Sequence, residues 1–420
     1  VNDDPVLLVI SFDAFKPDYL REDYMIFMRD FYYSGVLANN MINCFPTKTF
    51  TNHFSIATGN YAERHGVTGM YRRKRKKLAS TFEFSVIKFY ASVIGNAVYD
   101  LNLGLLKYQR ELFQYDKNTT PIWTLNELEG GRSGVMMWPG SDFEYKNILP
   151  TYYESLDKEL TLQNRFDKII SWIKDPIKPA NFVMWYIENP DEEGHAYSPD
   201  SEEMRKKLRQ LDDFVFEVVQ RLIFEDLSNR VDIIILSDHG MMTIQPTNFL
   251  NLFAYVDENV CSMYGSSPVL QVVCKNGRHN EACHNLTIAA EKYGNFRAFI
   301  YDKLPERWRV RNEQRFGPCV VVAEPGYGFQ DMFEYATWFK DNRDVDVSMN
   351  TKYGIHGYDN NVESMRPIFM AKGPRFKSGV IVNDEFNNVD LFGFFCRLLN
   401  IKPIGTDGVE RTEIWNAMIH

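Results

Sequence analysis

Carboxylate and imidazole side chains occur in this sequence where apolar runs give way to turns. The set is Asp13, Asp191, His195, Asp238, His239 and His356. Any one of them alone is more often a helix cap or a structural residue, but chance does not readily place all six in such positions. Carboxylates and imidazoles suit zinc, which takes three or four such ligands per ion. Three Asp and three His therefore fit two Zn²⁺ ions, with an open position on each ion.

The elements that must position these side chains follow from the apolar pattern. Residues 5–12, 181–187 and 231–236 are short apolar runs that predict buried strands of a parallel sheet, each followed by an Asp. Residues 201–224 show a helical pattern between two of them. This alternation predicts an α/β fold, with a mostly parallel central sheet and helices on both faces. Ligands of such sheets bind beyond the carboxyl ends of the strands, so we expect the three Asp residues to meet there.

The 420 residues suit one large domain or two, and we expect a single catalytic domain over 1–420. Residues 249–326 contain four of the six cysteines and are expected to form a small inserted subdomain. An even number of cysteines permits three disulfides. The spacing of Cys261, Cys274 and Cys283 favours disulfides, but it leaves the pairing open.

Charge and hydropathy exclude some partners. The net charge of −9 gives no general attraction to nucleic acid or to anionic membranes, so no nucleic acid partner is expected. No apolar run is long enough to span a bilayer. The glycosylation sequons at Asn118 and Asn285 indicate an exported protein. The basic run at 72–77 predicts an exposed loop, with a polyanion site or a processing site as alternatives.

Four blocks of sequence resemble the ecto-nucleotide pyrophosphatase/phosphodiesterase family of the alkaline phosphatase superfamily. They are SFDAF at 11–15, PTKTFTNH at 46–53, NPDEEGH at 189–195, and SDHGM at 237–241 together with GIHGYDN at 354–360. The family usually has Gly where Ala14 stands and Pro where Thr51 stands. The blocks extend over most of the chain, so the resemblance implies an alkaline-phosphatase-like fold throughout.

The resemblance implies two zinc sites. Asp191, His195 and His356 would hold one ion. Asp13, Asp238, His239 and the hydroxyl of Thr49 would hold the other. Thr49 would be the nucleophile, because a bound zinc ion stabilises the alkoxide of an otherwise weak threonine nucleophile. Attack on phosphorus would form a covalent ester, which water then releases.

The family also uses an Asn that binds a non-bridging phosphate oxygen. Its usual context matches residues 94–100, which identifies Asn96 as that residue. Residues 68–93 would then be a surface insertion that contains the basic run.

The resemblance also implies a substrate. Phe50 would stack on a nucleobase, with a later Tyr opposite. We assign this second role to Tyr153, although the family's Tyr aligns nearer Leu156. The leading prediction is an extracellular or cell-surface enzyme that releases nucleoside 5′-monophosphates, with any membrane anchor outside this chain.

Three other functions are less well supported by the sequence. A choline-phosphodiester or lysophospholipid phosphodiesterase with the same metal site is the alternative, and it would need an aromatic or acidic choline pocket. A catalytically inactive ectodomain would be expected to lack some of the six ligands, and none is missing. A sulfatase needs Arg at the position of Lys48 in the Cys44–Lys48 segment.

Overall fold

The computed structural model describes residues 5–69 and 98–420. Asn96, the basic run at 72–77 and the predicted insertion beyond Gly69 lie outside the described residues.

The strands of the described residues are short, and those of the central sheet are almost entirely apolar. In chain order they are β1 (Val6–Asp13), β2 (Val36–Ala38), β3 (Met41–Ile42), β4 (Val98–Asp100), β5 (Gly104–Leu106), β6 (Ser133–Met136), β7 (Tyr152–Glu154), β8 (Phe182–Pro190), β9 (Val231–Leu236), β10 (Met242–Ile244), β11 (Phe249–Leu250), β12 (Cys261–Ser266), β13 (Val269–Cys274), β14 (Phe296–Ile300), β15 (Cys319–Ala323), β16 (Gly328–Phe329), β17 (Tyr353–Ile355), β18 (Phe369–Lys372), β19 (Val380–Val382) and β20 (Phe386–Asn387).

The helices of the described residues range from single turns to a long amphipathic helix. In chain order they are α1 (Ile26–Tyr33), α2 (Thr49–Thr58), α3 (Ala62–His65), α4 (Arg110–Phe113), α5 (Ile122–Leu128), α6 (Leu162–Ile173), α7 (Asp191–Tyr197), α8 (Glu202–Phe224), α9 (His279–Tyr293), α10 (Glu313–Phe316), α11 (Asp331–Arg343), α12 (Leu391–Leu398) and α13 (Thr412–Met418). The long helix α8 begins after Ser201, whose hydroxyl caps it by accepting the N–H of Met204.

The central sheet has eight strands in the order β19-β2-β18-β9-β1-β8-β6-β7. The adjacent strands β9, β1 and β8 are parallel. Only β18 runs against its neighbours, β9 and β2, and the remaining pairs in this sheet are parallel. The predicted α/β fold with a mostly parallel sheet is therefore confirmed.

Helices pack on both faces of the sheet. Phe182 and Trp185 lie three residues apart on β8, so their side chains point to opposite faces. The ring of Phe182 lies 6.4 Å from that of Phe395 on α12. The ring of Trp185 lies 5.9 Å from Phe166 on α6 and 5.5 Å from Phe214 on α8. Both faces of the sheet are thus covered by apolar side chains, as its continuous apolar strands require.

A second sheet lies within the cysteine-rich segment. It has the order β12-β13-β15-β14 and is antiparallel, and α9 packs against it. The Cys261–Cys274 disulfide joins β12 to β13, and the Cys283–Cys319 disulfide joins α9 to β15. Cys44 and Cys396 are buried free cysteines. The cysteines therefore form two disulfides, not the three that their even number allows. Among the described residues, no helix is both long and apolar enough to cross a membrane.

This cysteine arrangement predicts the thiol content of the unreduced protein. A thiol reagent should find two thiols per chain in denaturant, from Cys44 and Cys396, and almost none in the native state, because both side chains are buried. Peptide mapping without reductant should link 261 to 274 and 283 to 319. A linked peptide containing Cys44 or Cys396 would contradict the structure.

Candidate metal centre

Three neighbouring strands bring Asp residues to one edge of the central sheet. Strand β1 ends at Asp13, β8 ends directly before Asp191, and β9 ends two residues before Asp238. In the strand register, Asp13 lies opposite Pro190, the residue before Asp191. Because the three strands are adjacent and parallel, their carboxyl ends place the three side chains together.

Asp13, Asp238 and His239 form the first ligand group. Nε2 of His239 lies 3.3 Å from Oδ1 of Asp13 and 3.0 Å from Oδ2 of Asp238. All three residues are buried. Their ligand atoms lie within 4.8 Å of one another, a spacing at which one ion can contact all three.

Asp191, His239 and His356 form the second group, whose ligand atoms also lie within 4.8 Å of one another. His195, the third ligand implied by the resemblance, lies beside this group. His195 follows Asp191 by one helical turn on α7, and its Nε2 lies 3.3 Å from Oδ1 of Asp191. Nε2 of His356 lies 3.5 Å from the same oxygen. The pairing of β10 with β17 brings the His356 loop to His239, and the two rings stack 3.6 Å apart. The two groups are therefore adjacent parts of one centre.

The three imidazole rings share one orientation. In each, Nδ1 lies within hydrogen-bond distance of a backbone carbonyl oxygen, which can only accept. The pairs are His195 with Gly354 at 2.8 Å, His239 with Gly240 at 2.9 Å, and His356 with Thr47 at 2.8 Å. Each Nδ1 therefore carries the hydrogen, and each Nε2 presents a lone pair to the centre. This is the arrangement that metal-binding histidines adopt in proteins.

Two of the carboxylates are also held by hydrogen bonds. The hydroxyl of Tyr186 donates to Oδ2 of Asp13 at 2.6 Å. The backbone N–H of Ala14 donates to Oδ1 of Asp238 at 3.1 Å. In each case the other carboxylate oxygen faces the centre. Tyr186 was not singled out from the sequence, since a Tyr within an apolar strand gives no signal of this role.

The residues present fit a divalent cation. Four buried ligand atoms lack a hydrogen-bond partner among the described residues: Asp13 Oδ1, Asp191 Oδ1, Asp238 Oδ2 and His195 Nε2. Each unsatisfied buried polar atom costs about 1–3 kcal/mol, so four at one place indicate a ligand that contacts them together.

The electrostatics of the cluster agree with this interpretation. Burial and the charges of neighbouring carboxylates raise the pKa values of Asp13 and Asp238 well above the usual range. Burial opposes ionisation of Asp191, but interactions with His195, His239 and Lys48 together outweigh burial and lower its pKa. A bound cation would favour the charged carboxylates, and oxygen and nitrogen donors suit zinc.

Thr49 lies at the edge of this centre. It is the first residue of α2, and its Oγ1 lies 3.2 Å from Nε2 of His239. Because Nδ1 of His239 carries the ring hydrogen, the Thr49 hydroxyl donates in this contact. A helix N-terminus favours negative charge, so this position suits both an ionised hydroxyl and an incoming phosphate.

Asn52 anchors the loop that leads to Thr49. Its Nδ2 lies 3.3, 3.2 and 3.0 Å from the carbonyl oxygens of Cys44, Pro46 and Lys48. Its Oδ1 accepts the N–H of Cys44 at 2.7 Å. One side chain therefore holds both ends of the loop, which explains the use of Asn at this position in the block 46–53.

Lys48, the residue before Thr49, has a buried ammonium group. Its Nζ donates to the carbonyl oxygen of Ser267 at 2.8 Å. Burial lowers the pKa of Lys48 to about 8, while Asp331 and Asp191 favour its charged form. The site therefore has a local cation despite the acidic balance of the chain.

Phe50, the residue after Thr49, belongs to an aromatic group. Its ring centroid lies 5.5 Å from that of Tyr108, at an interplanar angle of 62°. The hydroxyls of Tyr108 and Ser155 donate to the two oxygens of Asp142. Tyr108 was not singled out from the sequence, because nothing in its local context indicates that it meets Phe50.

The other predicted site residues lie elsewhere. Tyr153 is at the centre of β7, at the edge of the central sheet, and is 42% exposed. Among the described residues, the ring of Phe50 contacts Tyr108 and Phe113. Asn118 and Asn285 are exposed.

Comparison with known proteins places the sequence in a family. A sequence model of the family described as type I phosphodiesterase / nucleotide pyrophosphatase matches residues 7–359. Human bis(5'-adenosyl)-triphosphatase ENPP4 is 30% identical over 406 residues, which cover 96% of this chain and 80% of the relative. Human ectonucleotide pyrophosphatase/phosphodiesterase family member 5 is 30% identical over 420 residues, which cover 99% of this chain and 78% of the relative.

Solved structures extend the similarity to the fold. Murine ectonucleotide pyrophosphatase / phosphodiesterase 5 has a TM-score of 0.82 and 28% identity, covering 98% of this chain and all of that one. An inactive variant of the murine protein in complex with AMP also has a TM-score of 0.82 and 28% identity, and covers 99% of this chain.

The backbone at Ala14 generates a stability prediction. Ala14 has φ of 61°, a left-handed conformation in which its N–H reaches Asp238. Ala is disfavoured there and Gly is not, so Ala14→Gly should raise the free energy of unfolding of the metal-free protein by up to about 1 kcal/mol. Ala14→Val should lower it, because a β-branched residue is still less tolerant of positive φ. Denaturant unfolding measures both, and a destabilised Gly variant would contradict the argument.

Proposed function

This chain belongs to the type I phosphodiesterase / nucleotide pyrophosphatase family, and we propose that it is a zinc-dependent extracellular enzyme that releases nucleoside 5′-monophosphates through a covalent threonine intermediate. Family membership makes it a hydrolase with nucleotide pyrophosphatase/phosphodiesterase activity. The observation that carries the finer proposal is the position of Thr49, whose Oγ1 lies 3.2 Å from Nε2 of His239 at the metal centre.

The metal centre supports the choice of zinc and the count of two ions. Asp191, His195 and His356 would hold one ion, and Asp13, Asp238, His239 and Thr49 would hold the other. Two ions bound there would stabilise the negative charge on the attacking and leaving oxygens of the reaction.

The chain's own residues perform the remaining steps. The Thr49 oxygen attacks phosphorus as the bond to the leaving group breaks, which leaves the nucleoside phosphate esterified to Thr49. Water then breaks this ester and regenerates the hydroxyl. The N-terminus of α2 and the ammonium of Lys48 favour the phosphate charge throughout. We assign Asn96 to a non-bridging phosphate oxygen, on its sequence context alone.

The aromatic group supports a nucleoside moiety in the substrate. Phe50 follows the nucleophile directly, and Tyr108 lies beside it. A nucleobase can pack on such rings. The carboxylate of Asp142 can accept hydrogen bonds from an exocyclic amine of a base. The relative solved with AMP is consistent with this proposal.

The same group favours a second candidate substrate. A carboxylate beside aromatic rings also suits a quaternary ammonium ion. Asp142, Tyr108 and Phe50 could therefore recognise choline, and a choline-phosphodiester or lysophospholipid phosphodiesterase remains the alternative.

The extracellular setting rests on three features. The relatives are named as ectonucleotide enzymes. Disulfides such as Cys261–Cys274 persist in oxidising compartments. Asn118 and Asn285 are exposed, and we propose both as glycosylation sites.

A substrate panel with a nucleophile variant tests the proposal. Purified protein would be assayed on a nitrophenyl ester of thymidine monophosphate, on NAD, ATP and diadenosine triphosphate, and on a phosphocholine ester, with and without chelator. We expect chelator-sensitive release of nucleoside monophosphate. Thr49→Ala should lower turnover by roughly 10³-fold or more because it removes the nucleophile, while Zn²⁺ stays bound through the remaining Asp and His ligands.

Thr51→Ala is the matched control for Thr49→Ala. Thr51 lies on the same helix, is buried, and its hydroxyl has no hydrogen-bond partner among the described residues. Cleavage of the choline ester alone would establish the alternative substrate. Substantial turnover by Thr49→Ala would refute the covalent mechanism.

A second comparison tests the nucleoside contacts. If Tyr108 contacts the base, Tyr108→Ala should raise KM for nucleotide substrates by roughly 10-fold, the typical loss from one base–aromatic contact. The nitrophenyl ester of phenylphosphonate, which has no base, is the control and should be hydrolysed as before. Tyr153→Ala tests the residue predicted from the sequence. A larger effect at Tyr153 than at Tyr108 would show that the base lies toward β7.

A further inference from the structure

A row of buried polar side chains, connected by hydrogen bonds and close contacts, lies behind the metal centre. Oγ of Ser11 lies 2.8 Å from Nε2 of His53. Nδ1 of the same ring lies 2.9 Å from the carbonyl oxygen of Thr49 and 3.4 Å from Oδ2 of Asp238. Ser11, His53 and Asp238 are completely buried. The contact of Nδ1 with the Thr49 carbonyl oxygen is a hydrogen bond, and its contact with Asp238 is a longer electrostatic interaction.

These contacts determine which nitrogen of His53 carries the hydrogen. Nδ1 faces a carbonyl oxygen and a carboxylate oxygen, and neither can donate. Nδ1 must therefore be the donor. A neutral ring has one N–H group, so Nε2 accepts, and the hydroxyl of Ser11 donates to it.

The sequence of contacts has the connectivity of a Ser–His–Asp triad, but it cannot act as one. Ser11 lies inside β1 with no exposed surface, so no substrate reaches its hydroxyl. Asp238 belongs to the metal centre. These three side chains therefore hold one another in place and do not supply a second nucleophile.

We propose that His53 is a positioning residue, locked in its Nδ1–H form by Ser11, that links the nucleophile helix to the metal-binding carboxylate of Asp238. This rests on the proposed function of the metal centre and of Thr49. The Nδ1–H group contacts the first turn of α2 and the one oxygen of Asp238 that lacks a hydrogen-bond partner. His53 thereby fixes the start of the Thr49 helix relative to the Asp238 carboxylate, which would bind the ion.

Two isosteric variants separate this role from simple packing. In His53→Asn the amide nitrogen takes the place of Nδ1 and can still donate to Thr49. In His53→Gln the amide nitrogen lies near the place of Nε2, so the donor to Thr49 is lost. Both variants remove the ring and should lower the melting temperature, but only His53→Gln should impair the metal centre.

His65 provides the matched control. It is also completely buried, and its Nε2 lies 2.9 Å from Oγ of Ser55. Its Nδ1 accepts the N–H of Val67 at 3.0 Å, so its hydrogen is on Nε2. Like His53, His65 is a buried ring hydrogen-bonded to a serine hydroxyl, but it has the opposite tautomer. Its described contacts do not include the residues of the metal centre.

The binding measurement uses Zn²⁺ in competition with a chelator on metal-free protein. His53→Gln should weaken Zn²⁺ binding by roughly 10- to 100-fold and lower kcat with little change in KM, whereas His53→Asn should stay within roughly threefold of wild type. The Asn and Gln variants of His65 should bind Zn²⁺ like wild type. Equal losses for both His53 variants, or an equal loss in a His65 variant, would overturn the proposal.

A second measurement needs no substitution at His53. In wild-type protein labelled with ¹⁵N at histidine, the His53 signals should show hydrogen on Nδ1, and those of His65 should show it on Nε2. Hydrogen on Nε2 of His53 would overturn the proposal even if a variant failed to fold. A wild-type protein that binds Zn²⁺ but hydrolyses no nucleotide would refute the proposed function alone, because neither Zn²⁺ binding nor the histidine NMR signals depend on turnover.

Discussion

Three carboxylates, two of them fully buried, lie side by side at one sheet edge, and their burial together with their mutual repulsion is the constraint that shapes this protein. Burial and neighbouring charge raise the pKa values of Asp13 and Asp238, so the cluster is unfavourable without a cation. The protein holds the cluster ready for a cation through Tyr186 and the strained backbone of Ala14. Bound ions would therefore add to the stability of the folded chain as well as to its chemistry.

The position of Thr49 depends on elements that are distant in sequence. Thr49 begins α2, and the loop before it is held from within by Asn52. From outside, Trp308 stacks on Phe45 of the same loop at 4.0 Å, and the Ser267 carbonyl accepts from Lys48. Both of these outside contacts come from the disulfide-linked segment. That segment therefore supports the loop that precedes Thr49.

Much of the fold was predictable because buried strands and helix faces require apolar residues at characteristic spacings in the sequence. The run 231–236 coincides with β9, and the helical pattern at 201–224 differs from α8 only by its cap, Ser201. Strands covered on both faces must be continuously apolar, and helices that bury only one face must carry apolar residues at helical spacing. The pairing of the cysteines was not predictable in this way, because it depends on how β12, β13, β15 and α9 pack together.

The sequence by itself singled out the candidate metal ligands and the candidate nucleophile, because few residue types bind zinc and their motifs are local in the chain. The tertiary structure alone decided which side chains contact these candidate residues. Tyr108 meets Phe50, and His53 lies between Ser11 and Asp238, through contacts that join residues more than forty positions apart. Such contacts depend on how helices and loops pack around the sheet edge. No local pattern records that packing, so only the folded chain reveals it.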